Sequence, residues 1–128
     1  MELQKLLDNN DYLSEFKKEN IKIIKYKNLI LCKYLYNDND FSKPWKKYCK
    51  GCIIDINNNK LVCVPPVKSE QISIVNNLDI FKGDYTIQNL IEGTMINLFY
   101  WNNEWKISSR STIGCNNKWN NKKSFKEM

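Results

Sequence analysis

The first twenty residues carry apolar side chains at spacings of three and four, the period of an amphipathic helix. These side chains are Leu3, Leu6, Leu7, Tyr12, Leu13 and Phe16. A polar run over residues 8–11 interrupts the pattern. We therefore predict a helical cap over residues 1–20, formed by one helix or by two short ones.

From residue 21 the pattern becomes typical of β-strands. Residues 21–37 are rich in Ile, Leu and Tyr and break at Lys27 and Asn28, so we predict two strands joined by a tight turn. Two further strands are predicted on either side of residues 57–60, Asn-Asn-Asn-Lys, because asparagine tolerates the positive φ that hairpin turns require. Residues 38–50, with a proline and several charges, are predicted to form a surface connection.

A third group of strands is predicted over residues 85–93, 94–101 and 105–114, with a turn at residues 102–104. Apolar and polar positions alternate along its middle strand, so one face is expected in the core and the other on a groove wall. The chain is thus predicted to be one α+β domain over residues 1–128. Its parts are the helical cap, an antiparallel sheet over 21–114 and a loosely held basic tail over 115–128.

Charge favours a phosphate-bearing partner. The net charge is +6, and Arg110 is the only arginine beside nineteen lysines. The biased composition of an AT-rich genome would give the same excess of lysine and asparagine. The sequence contains no run of ~18 apolar residues, and its first residues are charged, so we expect neither a membrane span nor a secretory signal. The expectation is a soluble intracellular protein.

The five cysteines are predicted to be reduced thiols, because their number is odd and no export signal precedes them. Cys49 and Cys52 form a C-x-x-C motif. Since the chain has no histidine and no second such motif, we predict no metal site.

Four sequence pieces occur in a fixed order: YCKGCIID (48–55), VPPVKSE (64–70), LIEGTMINLFY (90–100) and KISSRSTIG (106–114). Together they resemble the adenylation domain of the covalent nucleotidyltransferases, specifically the phage-type RNA ligases, over residues 45–114. The EGTMINLF wording is similar to that of uncharacterised members from large DNA viruses. The resemblance implies a fold like the first half of a nucleotidyltransferase (ATP-grasp-like) ligase domain.

The resemblance also implies roles for five residues. Lys50 stands where the family has a phosphate-binding arginine, and Lys68 matches a basic residue that contacts the triphosphate. Glu92 and Gly93 occupy the last two positions of the nucleophile motif K-x-D-G, where the glycine lets the backbone turn and approach the ligand. Arg110 matches a basic residue after the following hairpin. ATP or GTP with Mg²⁺ is the implied cofactor if the pocket is retained.

Leu90 occupies the position of the nucleophilic lysine and cannot form a phosphoramidate. The family's later motifs have no counterpart before Met128. We therefore expect a truncated, non-catalytic relative that binds a nucleotide, a nucleic-acid end or a protein partner, in host cytoplasm or virion if the chain is viral. Two alternatives stay open: an active ligase that uses Lys82, Lys106 or a second chain, and a viral structural or assembly protein on the same scaffold.

Two kinds of surface could bind other molecules. Trp45, in a basic connection, is the predicted exposed residue for stacking on nucleic-acid bases. For the aromatic residues Phe99, Tyr100, Trp101, Trp105 and Trp119, packing across a hairpin is the favoured interpretation over base stacking. Strand edges left exposed by half a domain would favour a homodimer or another protein partner.

Overall fold

Two short helices begin the chain, α1 (Glu2–Leu7) and α2 (Tyr12–Lys18), in a computed structural model. The structure describes residues 1–9, 11–35, 37, 40–70, 83–84, 86–89, 91–118 and 122–128. Leu3, Leu7 and Phe16 are fully buried, so the apolar periodicity does mark the inner faces of the helices. Of the two predicted forms of the helical cap, two helices is the observed one.

A four-stranded antiparallel sheet follows, with its strands in chain order. The strands are β1 (Lys22–Tyr26), β2 (Leu29–Lys33), β3 (Lys50–Asp55) and β4 (Lys60–Cys63). Both predicted hairpins are confirmed, and their turns contain Lys27 at φ 53° and Asn59 at φ 52°. Between β2 and β3 a 3₁₀-helix spans Pro44–Tyr48.

The last hairpin, β5 (Ile96–Trp101) and β6 (Glu104–Ser109), forms a separate two-stranded sheet. Asn102 and Asn103 form its two-residue turn, both with positive φ, as a turn that matches strand twist requires. The hairpin covers one face of the larger sheet, where Phe99 packs with Leu29, Leu31 and Ile53. The helices cover the other face, so the domain has three layers: helices, sheet and hairpin.

Two predictions about the sheet are wrong. Residues 86–89 and 91–93 form no strand, and Ile87 and Ile91 are 81% and 89% exposed, because no strand in the described part of the chain pairs with them. The single antiparallel sheet predicted over residues 21–114 is two sheets. Along β5, Phe99 faces the core, whereas Ile96, Leu98 and Tyr100 point outward.

The described part of the basic tail, which we expected to be loosely held, is hydrogen-bonded to itself, and its Asn117 accepts hydrogen bonds from Ser109 and Thr112 of β6 and the turn after it. The Phe125 amide donates to the Asn117 carbonyl at 3.2 Å, and the Lys126 amide donates to the Cys115 carbonyl at 3.0 Å. Cys115 is fully buried. No helix among the described residues has the length and apolar character needed to cross a membrane.

Candidate functional site

A β-bulge at Gly51 decides which residues of β3 face which layer. Cys32 pairs with Cys52, but Lys33 pairs with Lys50, so Gly51 is an extra residue without a partner on β2. Directly opposed residues project from the same face of a sheet. The bulge therefore turns Lys50 and Lys33 toward the hairpin layer. In a regular ladder Gly51 would oppose Lys33, and Lys50 would face the helices.

Only glycine fits at the bulge. Gly51 has φ 102°, and a Cβ at this position would lie 2.9 Å from the Arg110 Cα and 3.0 Å from the Arg110 carbonyl oxygen. The backbone that follows β6 thus passes directly against the start of β3. Because Gly51 and Arg110 lie so close together, their sequence neighbours Lys50 and Ser111 come to line the same cavity.

The resulting cavity, which we call the basic pocket, has a volume of about 390 Å³. It lies among the start of β3, the segment before β5, the end of β6 and the tail. Six of its nine lining residues have polar or cationic side chains, and the full lining is Lys50, Gly93, Thr94, Met95, Ser109, Arg110, Ser111, Asn117 and Phe125. The pocket thus contains both cationic side chains that the sequence assigned to phosphate binding in the β3 and β6 motifs.

The guanidinium of Arg110 contacts both the ring and the backbone carbonyl of Tyr34. Its guanidinium carbon lies 4.8 Å from the centre of the Tyr34 ring, and its Nη2 donates to the Tyr34 carbonyl at 3.4 Å. Its Nε is buried, and none of the described residues accepts a hydrogen bond from it. A buried charged donor without an acceptor is costly, which makes this position favourable for an added anion.

Lys33 adds a third positive charge beside the pocket. Its Nζ donates to the Ser111 hydroxyl at 2.7 Å. Burial lowers the pKa of Lys33, and repulsion from Lys22 and Arg110 lowers it further. Since like charges raise each other's energy, an anion bound among them would relieve that repulsion.

Ser109 and Asn117 fix the wall of the pocket. The Asn117 Oδ1 accepts a hydrogen bond from the Thr112 hydroxyl at 2.6 Å and one from the Ser109 hydroxyl at 3.4 Å. The Ser109 Oγ also accepts from the Thr112 amide at 3.2 Å. Ser109 is nearly fully buried, so this turn is an ordered wall rather than a free loop.

The other predicted site residues lie outside this arrangement. Lys68 does not line the pocket: its Nζ lies 4.9 Å from the Phe41 ring centre and donates to the Ser69 carbonyl. Glu92 is exposed and does not line the pocket either. Gly93 lines it, but a Cβ there would meet no atom within 4 Å, so its geometry does not require glycine. Leu90, like Lys82 and Trp119, lies outside the described residues.

The prediction that Trp45 is an exposed stacking residue is wrong. Trp45 is 7% exposed, and its ring packs on Phe16 with the ring centres 5.4 Å apart. The lysines around it in the sequence suggested a surface, but the 3₁₀-helix turns its indole into the core under the helices. The exposed tryptophan in the described part of the chain is Trp105, which is 67% exposed.

Sequence reasoning missed Gly51, Lys33, Ser111 and Asn117. Gly51 lies within the quoted YCKGCIID piece, but a bulge depends on register with another strand and leaves no local signal in the sequence. Ser111 could have been predicted from the sequence, because it stands next to Arg110 in the quoted KISSRSTIG piece. Asn117 could not have been predicted, because it lies among asparagines that composition alone explains.

Two other features show no functional arrangement. A larger groove of about 950 Å³ lies between α2 and β1, but its floor is apolar, and it contains none of the predicted site residues. The cysteines are free thiols, and the bulge turns Cys49 toward the same core below the helices that Cys52 already faces. Within the described ranges, no three cysteine or acidic side chains are grouped to hold a metal ion.

Comparisons with known proteins give no relative: no protein-family model, no curated protein and no solved structure matches the chain. The similarity to nucleotidyltransferases therefore stays a prediction from the four motifs.

Proposed function

We propose that this protein is a non-catalytic binding protein whose basic pocket holds the phosphate of a nucleotide or of a nucleic-acid end. The observation that carries the proposal is the Gly51 bulge, because it turns Lys50 into the cavity that Arg110 also lines. Lys50, Arg110, the nearby Lys33 and the Ser111 hydroxyl are groups that bind phosphate oxygens. The buried Arg110 Nε has no acceptor among the described residues.

The absence of a nucleophile in the motif supports binding without catalysis. Leucine has no group that can attack an α-phosphate. Lys106, the alternative nucleophile on β6, has its Nζ 2.7 Å from Glu104 and 5.6 Å from the Trp101 ring centre, toward the opposite end of that strand from Arg110. It is not among the residues that line the basic pocket.

Covalent modification is tested by the intact mass of the protein after incubation with ATP or GTP and Mg²⁺ or Mn²⁺. We expect an unchanged mass under every condition. An added nucleotide monophosphate that is lost on substitution of one particular lysine would contradict the non-catalytic proposal and identify the nucleophile.

Phosphate binding is tested by calorimetric titration of ATP and of inorganic pyrophosphate into the wild type and two lysine variants. Lys50→Met removes a pocket cation, and we expect it to weaken binding about tenfold or more, the worth of a charge-assisted hydrogen bond. Lys68→Met removes the same charge from a residue outside the pocket. It is the matched control, and we expect it to retain the affinity within about twofold.

Equal losses in the two variants would mean that binding follows net charge and would contradict the assigned pocket. No binding by the wild type would contradict the proposed function itself. Pyrophosphate that competes with a 5′-phosphorylated oligonucleotide but not with an unphosphorylated one would identify a nucleic-acid end as the ligand rather than a free nucleotide.

A further inference from the structure

We propose that the protein has a second binding site, away from the basic pocket, at which one base of a single-stranded nucleic acid stacks on Trp105. This inference goes beyond phosphate recognition and does not depend on it. It rests on an aromatic cleft formed by Tyr26 at the end of β1 and Trp105 at the start of β6.

The aromatic cleft has a volume of about 170 Å³ and is lined by Tyr26 and Trp105 together with Lys106, Ile107, Ile113, Gly114 and Lys126. Its size suits one flat ring rather than a helix of a protein partner. Tyr26 is 40% exposed and Trp105 is 67% exposed, so both keep aromatic surface open to a ligand.

Trp105 is held in place although it is exposed. Its ring meets Tyr100 of β5 in an edge-on arrangement with the ring centres 5.4 Å apart. Tyr100 and Trp105 are directly paired across the hairpin, and a tight two-residue turn follows Trp101. A ring fixed by a cross-strand partner loses little conformational entropy when a base stacks on it, which favours binding.

The charges around the cleft identify the ligand as an anionic polymer. Lys27 lies 6.0 Å from the Tyr26 ring centre, and Lys126 lines the cleft. Within the described part of the chain neither lysine forms an ion pair, and Lys27 attracts the Glu104 carboxylate only weakly, as the last of the causes that lower the pKa of Glu104. Lys106 is paired with Glu104 at 2.7 Å and so contributes less. Aromatic rings flanked by cations are the features that single-strand binders use, rings for bases and lysines for phosphates.

The test is fluorescence anisotropy of a labelled eight-nucleotide oligothymidylate without a terminal phosphate, titrated at low salt. Trp105→Ala should weaken binding about tenfold or more, as expected for loss of one stacked base. Trp105→Phe is the matched variant that retains an aromatic face, and it should keep most of the affinity. Circular dichroism checks that both variants fold.

An abasic oligonucleotide of the same length separates stacking from phosphate attraction. We expect the wild type to bind it more weakly than oligothymidylate, with no further loss in Trp105→Ala. An equal loss for both oligonucleotides, wild-type affinity in Trp105→Ala, or equal binding of a duplex would overturn the proposal. Sedimentation tests whether Trp105 instead forms a dimer interface. If the wild type were a dimer, and Trp105→Ala dissociated it without changing the affinity for the oligonucleotide, the proposal would also be overturned.

This result is independent of the basic pocket. Lys50→Met should leave the contrast between base-bearing and abasic oligonucleotides unchanged, because the two sites are about five residues apart along β6, roughly 17 Å. A wild type that binds no pyrophosphate but still prefers the base-bearing oligonucleotide would contradict only the proposed function. A wild type that binds pyrophosphate but does not prefer the base-bearing oligonucleotide would contradict only the stacking site.

Discussion

Gly51 is the residue on which the candidate site depends most. A side chain there would need both a left-handed backbone and space already occupied by the Arg110 backbone. We predict that Gly51→Ala lowers the free energy of unfolding by about 2–4 kcal/mol, from backbone strain and overpacking together. Denaturant unfolding measures this change.

The chain offers a matched control for this substitution. Gly93 lies beside the same pocket, but a Cβ there would meet no atom within 4 Å. Gly93→Ala should therefore leave the free energy of unfolding within about 0.5 kcal/mol of the wild type. If the two variants were equally stable, the close approach of β3 to Arg110 would be wrong.

The two tryptophans that the sequence ranked in the wrong order should respond in opposite ways. Trp45 packs on Phe16 in the core, so Trp45→Ala should cost about 3–5 kcal/mol of folding free energy. Trp105 contacts mainly Tyr100 and solvent, and Trp105→Ala should cost less than about 1 kcal/mol. Thermal melts of the two variants distinguish a core indole from a surface one, and a reversed order would contradict the fold.

At the scale of elements, Asp55 joins the hairpin to the larger sheet. Its Oδ2 accepts a hydrogen bond from the Trp101 Nε1 at 3.0 Å, and its Oδ1 accepts one from the Asn57 amide at 2.9 Å. Burial alone would raise the pKa of Asp55. The hydrogen bonds from Trp101, Asn57 and Asn58 outweigh that effect and lower it below the usual 3.8.

We predict that Trp101→Phe destabilises the domain by about 1–2 kcal/mol at neutral pH, because Asp55 loses a donor. A lowered carboxyl pKa gives stability that is complete above the unfolded-state pKa and is lost as the pH falls through the lower folded-state pKa. In the variant the folded-state pKa rises toward 3.8, so less stability remains to be lost in acid. Unfolding curves from pH 6 to pH 2 measure both effects, with the exposed Trp105→Phe as control.

The sequence predicts an element well when the element depends on its own residues, and poorly when it depends on contacts with residues far away in the sequence. The turn at Asn102 and Asn103 was predictable because positive φ is a property of the residues themselves. The strand expected over residues 85–93 was not, because its β-rich composition matters only if another strand pairs with it. The burial of Trp45 likewise depends on Phe16, a distant residue, and the role of Gly51 depends on the register of β2 with β3.

For the whole molecule, the net charge of +6 should appear as a salt dependence of nucleic-acid binding. The logarithm of the association constant for a single strand should fall with the logarithm of salt concentration, by about 0.7 for each phosphate contact. We predict that Lys126→Met makes this slope shallower by about 0.7. Trp105→Ala should weaken binding without altering the slope, since it removes no charge. Anisotropy titrations at several salt concentrations measure both.

The contact between Gly51 and Arg110 also determines at which stage of folding the basic pocket forms. It joins positions far apart in the sequence, so it forms only after a long loop has closed and the last hairpin has docked on the sheet. The first four strands alone carry Lys33 and Lys50 but lack Arg110 and the other residues that complete the basic pocket. We therefore predict that the contact between Gly51 and Arg110 forms after the folding barrier has been crossed, so that it stabilises the native state and not the transition state. A bound phosphate should therefore slow the unfolding of the domain and leave its rate of folding almost unchanged.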